Sequence, residues 1–289
     1  MSSRQGDTAV FRGFYTSRFQ LGPTPGRGVM YARDGKMLGG SSAFAHIGRF
    51  EESRDEVAII IRTSRHNPDP AFPAMAGTDE ATLRARGWPD GSLYRFAGEL
   101  DELPGVPFES TLTPVEDQPF ATGARPSEAG IVNGLYSIHI RLLDGVDGGL
   151  SGVMLLLDGR ILGGDNYFYY LGSYTSGHGR WKGQILNQEH SPARGVDLIF
   201  GGHEVGIGFS GTCDEAGAQL EATALAVGIA AVDRDGLLSP PSAFPVILLA
   251  SVTSLMLPVP GVTDREIGSK GQVRTWRRAL HFRRPSRPR

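Results

Sequence analysis

The side chains that could do chemistry in this chain are dispersed. The seven histidines are His46, His66, His139, His178, His190, His203 and His281, and none sits in a His-Glu-x-x-His or His-x-His pattern. Metal ligation on one strand or helix needs such spacing, so no metal site is expected. Cys213 is the sole cysteine. It forms no intrachain disulfide and, with no catalytic neighbour, reads as structural. Gly206-Ile207-Gly208-Phe209-Ser210-Gly211 fits GxGxxG. A phosphate-binding loop needs a strand before it and a helix after it. This segment is itself strand-like and runs into a turn at 214–217, so its glycines read as bends or close contacts in a strand. No catalytic residue and no cofactor is expected, and a hydrolase would have only unpaired candidates.

Two groups remain. Glu51, Glu52, Asp55 and Glu56, interrupted by Ser53 and Arg54, follow Phe50 and precede an apolar run. They read either as a solvated hairpin turn with gatekeeping charge or as an acidic loop that docks a basic protein partner. Tyr167, Phe168, Tyr169, Tyr170 and Tyr174 form an aromatic cluster. It could line a ligand cavity or simply fill a core.

The elements that must position these groups are strands. Across 289 residues, hydrophobic content is 40 % and charged content only 21 %, with 40 Gly and 19 Pro. That balance favours short strands and turns over long helices. Tyr136, Ile138, Ile140 and Leu142 alternate with Ser137, His139 and Arg141, the period of a half-buried strand. Asp158-Gly159 between apolar runs predicts a tight hairpin, because a type I′ turn needs positive φ at both central residues. Further strands are predicted at 56–65, 180–188, 196–200, 204–212 and 218–227. Residues 79–86 are predicted as two helical turns, ended by Gly87 and Pro89.

The chain repeats itself. Gly13-Phe14-Tyr15 aligns with Gly134-Leu135-Tyr136 at an offset of 121 residues. Residues from Gly28 to Phe50 then align without a gap at an offset of 124, including Asp34-Gly35 with Asp158-Gly159 and Gly39-Gly40 with Gly163-Gly164. Phe96-Ala97-Gly98 and Phe108-Glu109-Ser110-Thr111 match Phe209-Ser210-Gly211 and Leu220-Glu221-Ala222-Thr223. Several matches in one order predict two copies of a small β domain. Seven or eight strands each must pack or close, since open edges invite aggregation. The expected fold is therefore mainly β: two tandem antiparallel β-barrel domains at 11–117 and 131–228, joined by a Pro/Glu/Gly-rich linker at 118–130.

Residues 229–289 match nothing earlier and are expected to lie outside the barrels as a poorly ordered tail. Residues 244–259 are mostly apolar, but sixteen residues are short of the roughly 20 that a spanning helix needs. Residues 264–289 hold nine Lys/Arg against two Asp/Glu, a local +7. The rest carries −9, with 20 basic and 29 acidic groups. An acidic body does not suggest direct nucleic-acid binding by the barrels. The tail leaves open a membrane anchor or an Arg-rich contact with nucleic acid or anionic lipid. No basic segment followed by an apolar run opens the chain, so a cytoplasmic protein is expected.

Asn133-Gly134-Leu135-Tyr136-Ser137-Ile138, followed by Gly159-Arg160-Ile161-Leu162-Gly163-Gly164-Asp165 and closed by Tyr170 and Gly172, resembles the family of negative regulators of type III secretion (the GrlR type). The first repeat carries the pattern in weaker form, with Ser41 in place of the Asp. The resemblance implies a lipocalin-like barrel that often dimerises. It also implies a non-enzymatic bacterial regulator that sequesters a DNA-binding transcriptional activator through an acidic turn, which here falls at Glu51, Glu52, Asp55 and Glu56. The second repeat lacks that turn. Two barrels in one chain then stand for a homodimer. The alternative function is a small-molecule or lipid-binding barrel, since about eight strands can enclose one ligand.

Overall fold

The computed structural model describes residues 10–74, 76–116, 130–142, 150–192, 204–227 and 243–255. Their regular elements are all strands. The first eight are β1 (Gly13–Leu21), β2 (Thr24–Arg33), β3 (Lys36–Gly40), β4 (Phe44–Glu52), β5 (Val57–Arg65), β6 (Glu80–Asp90), β7 (Leu93–Leu100) and β8 (Leu103–Pro114). The second eight are β9 (Gly134–Leu142), β10 (Leu150–Leu157), β11 (Arg160–Gly164), β12 (Phe168–Gly177), β13 (Arg180–Glu189), β14 (Val205–Cys213), β15 (Gly217–Val227) and β16 (Ala243–Ser254). Each set pairs antiparallel with its sequence neighbours and closes on itself, β8 onto β1 and β16 onto β9. The chain is thus two closed eight-stranded barrels in tandem. Closure leaves neither barrel a free edge.

Local chemistry explains the hairpins. Asp34 and Gly35 have φ of 51° and 75°, and Asp158 and Gly159 have 47° and 83°, the positive pair that the tight turn demands. His178-Gly179 does the same between β12 and β13, at 53° and 72°. The first barrel has a longer turn at that place, closed by Ser53 N–H donating to Glu56 O at 2.8 Å.

Residues 79–86 are not helical. β6 alternates strictly, with Ala81, Leu83, Ala85 and Gly87 inward and Arg84, Arg86 and Trp88 outward. Outside, Arg84 pairs with Asp101 at 2.8 Å and Arg86 with Glu56 across neighbouring strands. Small inward residues and paired outward charges suit a barrel wall, and cross-strand pairs overrode the helix propensity of alanine and arginine.

The second barrel does not end at 228. β16 pairs with β15 from Gly217↔Thr253 to Val227↔Ala243, and with β9 from Leu248↔Leu142 to Ser254↔Tyr136. Residues 243–254, expected in the tail, are the closing strand, with Ala250 and Val252 buried in the core. Pro245, which has no N–H to donate, falls where β16 pairs with β15 alone; Pro is tolerated on such an unpaired side. The physical cause of the misplacement is β6. Matching residues 96–98 to 209–211 sets β7 against β14, although strand order makes β6 its counterpart. With β6 read as helix, the second copy ran one strand short. The linker at 118–130 lies outside the described residues apart from Gly130, and so do the strand predicted at 196–200 and the tail at 229–242 and 256–289.

One end of each barrel is stoppered by its own N-terminal segment. Phe11 is fully buried and meets the rings of Tyr15, Phe50, Tyr94 and Phe96 at 4.8–5.6 Å between centroids. Ile131 is equally buried in the second barrel. The two repeat tyrosines anchor these plugs: Tyr15 donates to Arg12 O at 3.0 Å and Tyr136 to Val132 O at 2.7 Å. The outer face of the first barrel carries the ion pairs Arg62–Glu80, Arg84–Asp101, Arg86–Glu56 and Arg95–Asp90. With an apolar inside, that is an outer face suited to water, the reverse of the lipid-facing pattern of a transmembrane barrel.

Candidate ligand cavity and the barrel seam

Above the Phe11 plug the first barrel is hollow. A cavity of about 350 Å³ opens at the opposite end. Its walls are mostly apolar: Met30, Met37, Ile59, Ile61, Leu83 and Phe96 are among them. The space exists because many inward positions are small, including Ser17, Gly26, Thr63, Ala81 and Ser110. Phe19 lies across Gly26, where a Cβ would come within 2.3 Å of the ring, and edges onto His46 at 6.5 Å. His46 is the one titratable side chain deep in the wall. Burial, reinforced by the neighbouring His66, pushes its pKa down to about 4. It is therefore a neutral imidazole near pH 7, able to donate or accept one hydrogen bond.

The mouth is framed by residues 66–74 and 76–79, from the Pro-containing connection between β5 and β6. Arg65 holds that loop. Its guanidinium meets Asp79 Oδ1 at 2.5 Å, donates to Asn67 O at 3.2 Å and to Phe72 O at 2.9 Å, and lies 4.6 Å over the Phe44 ring. Ala71, Phe72, Pro73 and Ala76 thereby reach the cavity.

The second barrel is built on the same positions with larger side chains. At the offset of 124, Tyr170 replaces His46, Trp181 replaces Val57 and Asn187 replaces Thr63. Tyr170, Tyr174, Trp181 and Phe209 are all buried in its core. Tyr170 donates its hydroxyl to Asp165 Oδ2, while Asp165 Oδ1 accepts from Tyr167 N at 2.7 Å and Phe168 N at 2.9 Å. Burial pushes both the Asp165 carboxyl and the Tyr170 hydroxyl up. In the first barrel Ser41 takes the place of Asp165. Its Oγ accepts from Ala43 N and Phe44 N at 3.4 and 3.2 Å.

The barrels meet along a seam whose contacts are reciprocal. A Cβ at Gly40 would lie 2.7 Å from Val153 Cγ1, and one at Gly164 would lie 2.5 Å from Val29 Cγ1. Gly40 and Gly164 are repeat equivalents, as are Val29 and Val153. Ser42 and Asn166 are also equivalents and bond each other: Ser42 N donates to Asn166 Oδ1 at 3.4 Å, and Asn166 N to Ser42 Oγ at 3.3 Å. Asn67 Nδ2 donates to Ser151 Oγ, and Ser151 Oγ to Ser42 O, each at 2.5 Å. Like positions touching like positions is the mark of an isologous two-fold interface, here drawn within one chain.

The predicted site residues separate. Of the acidic group, Glu52 Oε1 accepts from Phe11 N at 2.8 Å and so holds the barrel plug, and Glu56 pairs with Arg86. Glu51 and Asp55 are exposed. Of the aromatic group, Phe168, Tyr170 and Tyr174 pack in the second barrel's own core. Tyr169 faces outward, with its hydroxyl on Gln188 and its ring against Phe14 at 6.5 Å. Tyr167 alone lines a cavity, and it is the cavity of the first barrel. Sequence reasoning passed over His46, Arg65 and Phe72. Cys213 is buried in the second core, and burial raises its thiol. The glycines of 206–211 lie within β14, and the next element is β15.

No family model and no curated protein matches this chain. Among solved structures it is similar to a Bacteroides fragilis protein described provisionally as an outer membrane protein, at 11 % identity and a TM-score of 0.22 over 84 % of this chain and 96 % of that one. A likeness of that size carries no argument about function. Among the described residues no helix is long and apolar enough to cross a membrane.

Proposed function

We propose that this chain is a binding protein that takes up an apolar small molecule in its first barrel. The observation that supports this most is the cavity of about 350 Å³, closed below by Phe11 and open at one end. Its size falls in the ordinary range for small-molecule sites, and apolar walls with few convergent polar groups are their usual composition. The test is a fluorescence titration with N-phenyl-1-naphthylamine, a neutral apolar dye, on wild type and His46→Tyr. Saturable binding that the substitution removes supports the reading. Unsaturable or unchanged binding overturns it.

A second reading follows the resemblance to type III secretion regulators: a cytoplasmic protein that docks a basic activator on its acidic turn. Exposed Glu51 and Asp55 favour it. Glu52 and Glu56 weigh less, because each already serves the fold. A pull-down from host lysate with Glu51→Ala/Asp55→Ala tests this surface without touching the plug. Loss of a DNA-binding protein from the eluate supports the regulator; an unchanged eluate discards it.

A further inference from the structure

The mouth of the first barrel's cavity includes two residues of the other barrel, Asn166 and Tyr167. They form the turn between β11 and β12, and that turn is held firmly. Asp165 Oδ1 receives Tyr167 N at 2.7 Å, and Tyr167 O accepts from His190 N at 2.8 Å and Ser191 N at 3.2 Å. Asn166 is tied across the seam to Ser42. The Tyr167 backbone is therefore held by the second barrel, while the residue lines the cavity of the first.

The arrangement is one-sided. The repeat equivalent of Tyr167 is Ala43, so beside the reciprocal Gly40/Val153, Gly164/Val29 and Ser42/Asn166 contacts the seam offers a phenol ring in one direction and a methyl group in the other. The interiors differ in the complementary sense. The barrel that receives the ring is hollow around His46. The barrel that supplies it holds Trp181 and Tyr170 in place of Val57 and His46, with Tyr170 bonded to Asp165.

We propose that the second barrel has become the lid of the first: Tyr167 closes over a single ligand held in the first barrel, and the second barrel holds none. The proposal rests on the cavity reading above. The lining also selects the ligand class. Arg27 is the only Asp, Glu, Lys or Arg among the lining residues, and it is exposed at the β1–β2 end, while His46, Ser17, Thr63 and Ser110 supply the polar atoms within. An ion inside would lose its hydration without a counter-charge. The ligand is thus an uncharged, largely apolar molecule with one hydrogen-bonding group directed at His46. A ring carried over the entrance on a backbone held in this way acts mainly on escape, as lids do.

The test follows N-phenyl-1-naphthylamine by equilibrium and stopped-flow fluorescence on the full chain. Wild type should bind one dye per chain. Tyr167→Ala should release it about tenfold faster or more, the size expected when a closing contact is lost, and Tyr167→Phe should behave as wild type, because the ring and not the hydroxyl covers the mouth. Tyr167→Trp should slow release and serves as the second variant if the alanine form does not fold. The anionic probe cis-parinaric acid should bind about tenfold more weakly than the neutral dye. Two dyes per chain, a Tyr167→Ala release rate equal to wild type, or tighter binding of parinarate overturns the proposal. In those cases binding that His46→Tyr abolishes still leaves the cavity reading standing. Absence of saturable binding in wild type overturns both.

Discussion

Tyr170 donates its hydroxyl to the carboxylate of Asp165 inside the second barrel, at the positions where the first barrel has His46 and Ser41. This pair is one of the differences, with Trp181 in place of Val57, between the filled barrel and the hollow one. Tyr170→Phe removes that bond and leaves Asp165 Oδ2 buried. A loss of about 1–3 kcal/mol in urea unfolding is expected, the ordinary cost of a buried group stripped of its partner. An unchanged midpoint would mean that the pair contributes nothing to the fold.

The Phe11 ring is expected to matter as much as any core residue, although it precedes the first strand. Phe11→Ala should cost about 3–5 kcal/mol, read as a fall in the thermal midpoint. It removes four aromatic contacts and opens the closed end of the cavity.

Glu52 and Glu51 are adjacent and should behave differently. Glu52→Ala strips the acceptor from Phe11 N–H and should destabilise by about 1 kcal/mol, as loss of a capping carboxylate does. Glu51→Ala changes an exposed residue and should stay within about 0.5 kcal/mol of wild type. Equal effects would deny Glu52 its role in the plug.

Acid should loosen the first barrel. His46 and His66 both have pKa values pushed down to about 4, chiefly by burial. Below the unfolded value near 6.5, the unfolded chain binds protons that the folded chain refuses. Stability is therefore full above about pH 6.5 and falls as pH drops towards 4. The buried Asp165 acts in the opposite sense: its raised pKa favours the folded state at low pH and withdraws that support as pH rises through the carboxylate range. Chemical denaturation from pH 7.5 to 4.5 should show a decline that His46→Gln/His66→Gln flattens.

The seam predicts a monomer. Val29 and Val153 are each about 1 % exposed and meet the glycine of the opposite barrel, so the self-complementary surface is already occupied within the chain. Light scattering should give one chain per particle at all concentrations. An obligate dimer would show that a further interface exists.

Much of the architecture was readable beforehand because it depends on local chemistry. Asp34-Gly35 and Asp158-Gly159 dictate tight turns wherever they occur between apolar runs. The period of two at residues 136–142 dictates a strand with one inward face. The offset of 124 residues told that the same domain is present twice. What local chemistry leaves undetermined is partnership. Residues 79–86 have good helix formers and also a period of two, and only pairing with β5 and β7 selects the strand. β16 looks like an orphan apolar run until β15 and β9 stand on either side of it. Likewise, which barrel an aromatic fills depends on where its strand or turn is carried in the tertiary structure. Tyr170 faces its own core, and Tyr167, three residues earlier, faces another. Hollowness is the most remote from sequence of all, because a cavity is a deficit of volume summed over eight strands, and no single residue records it.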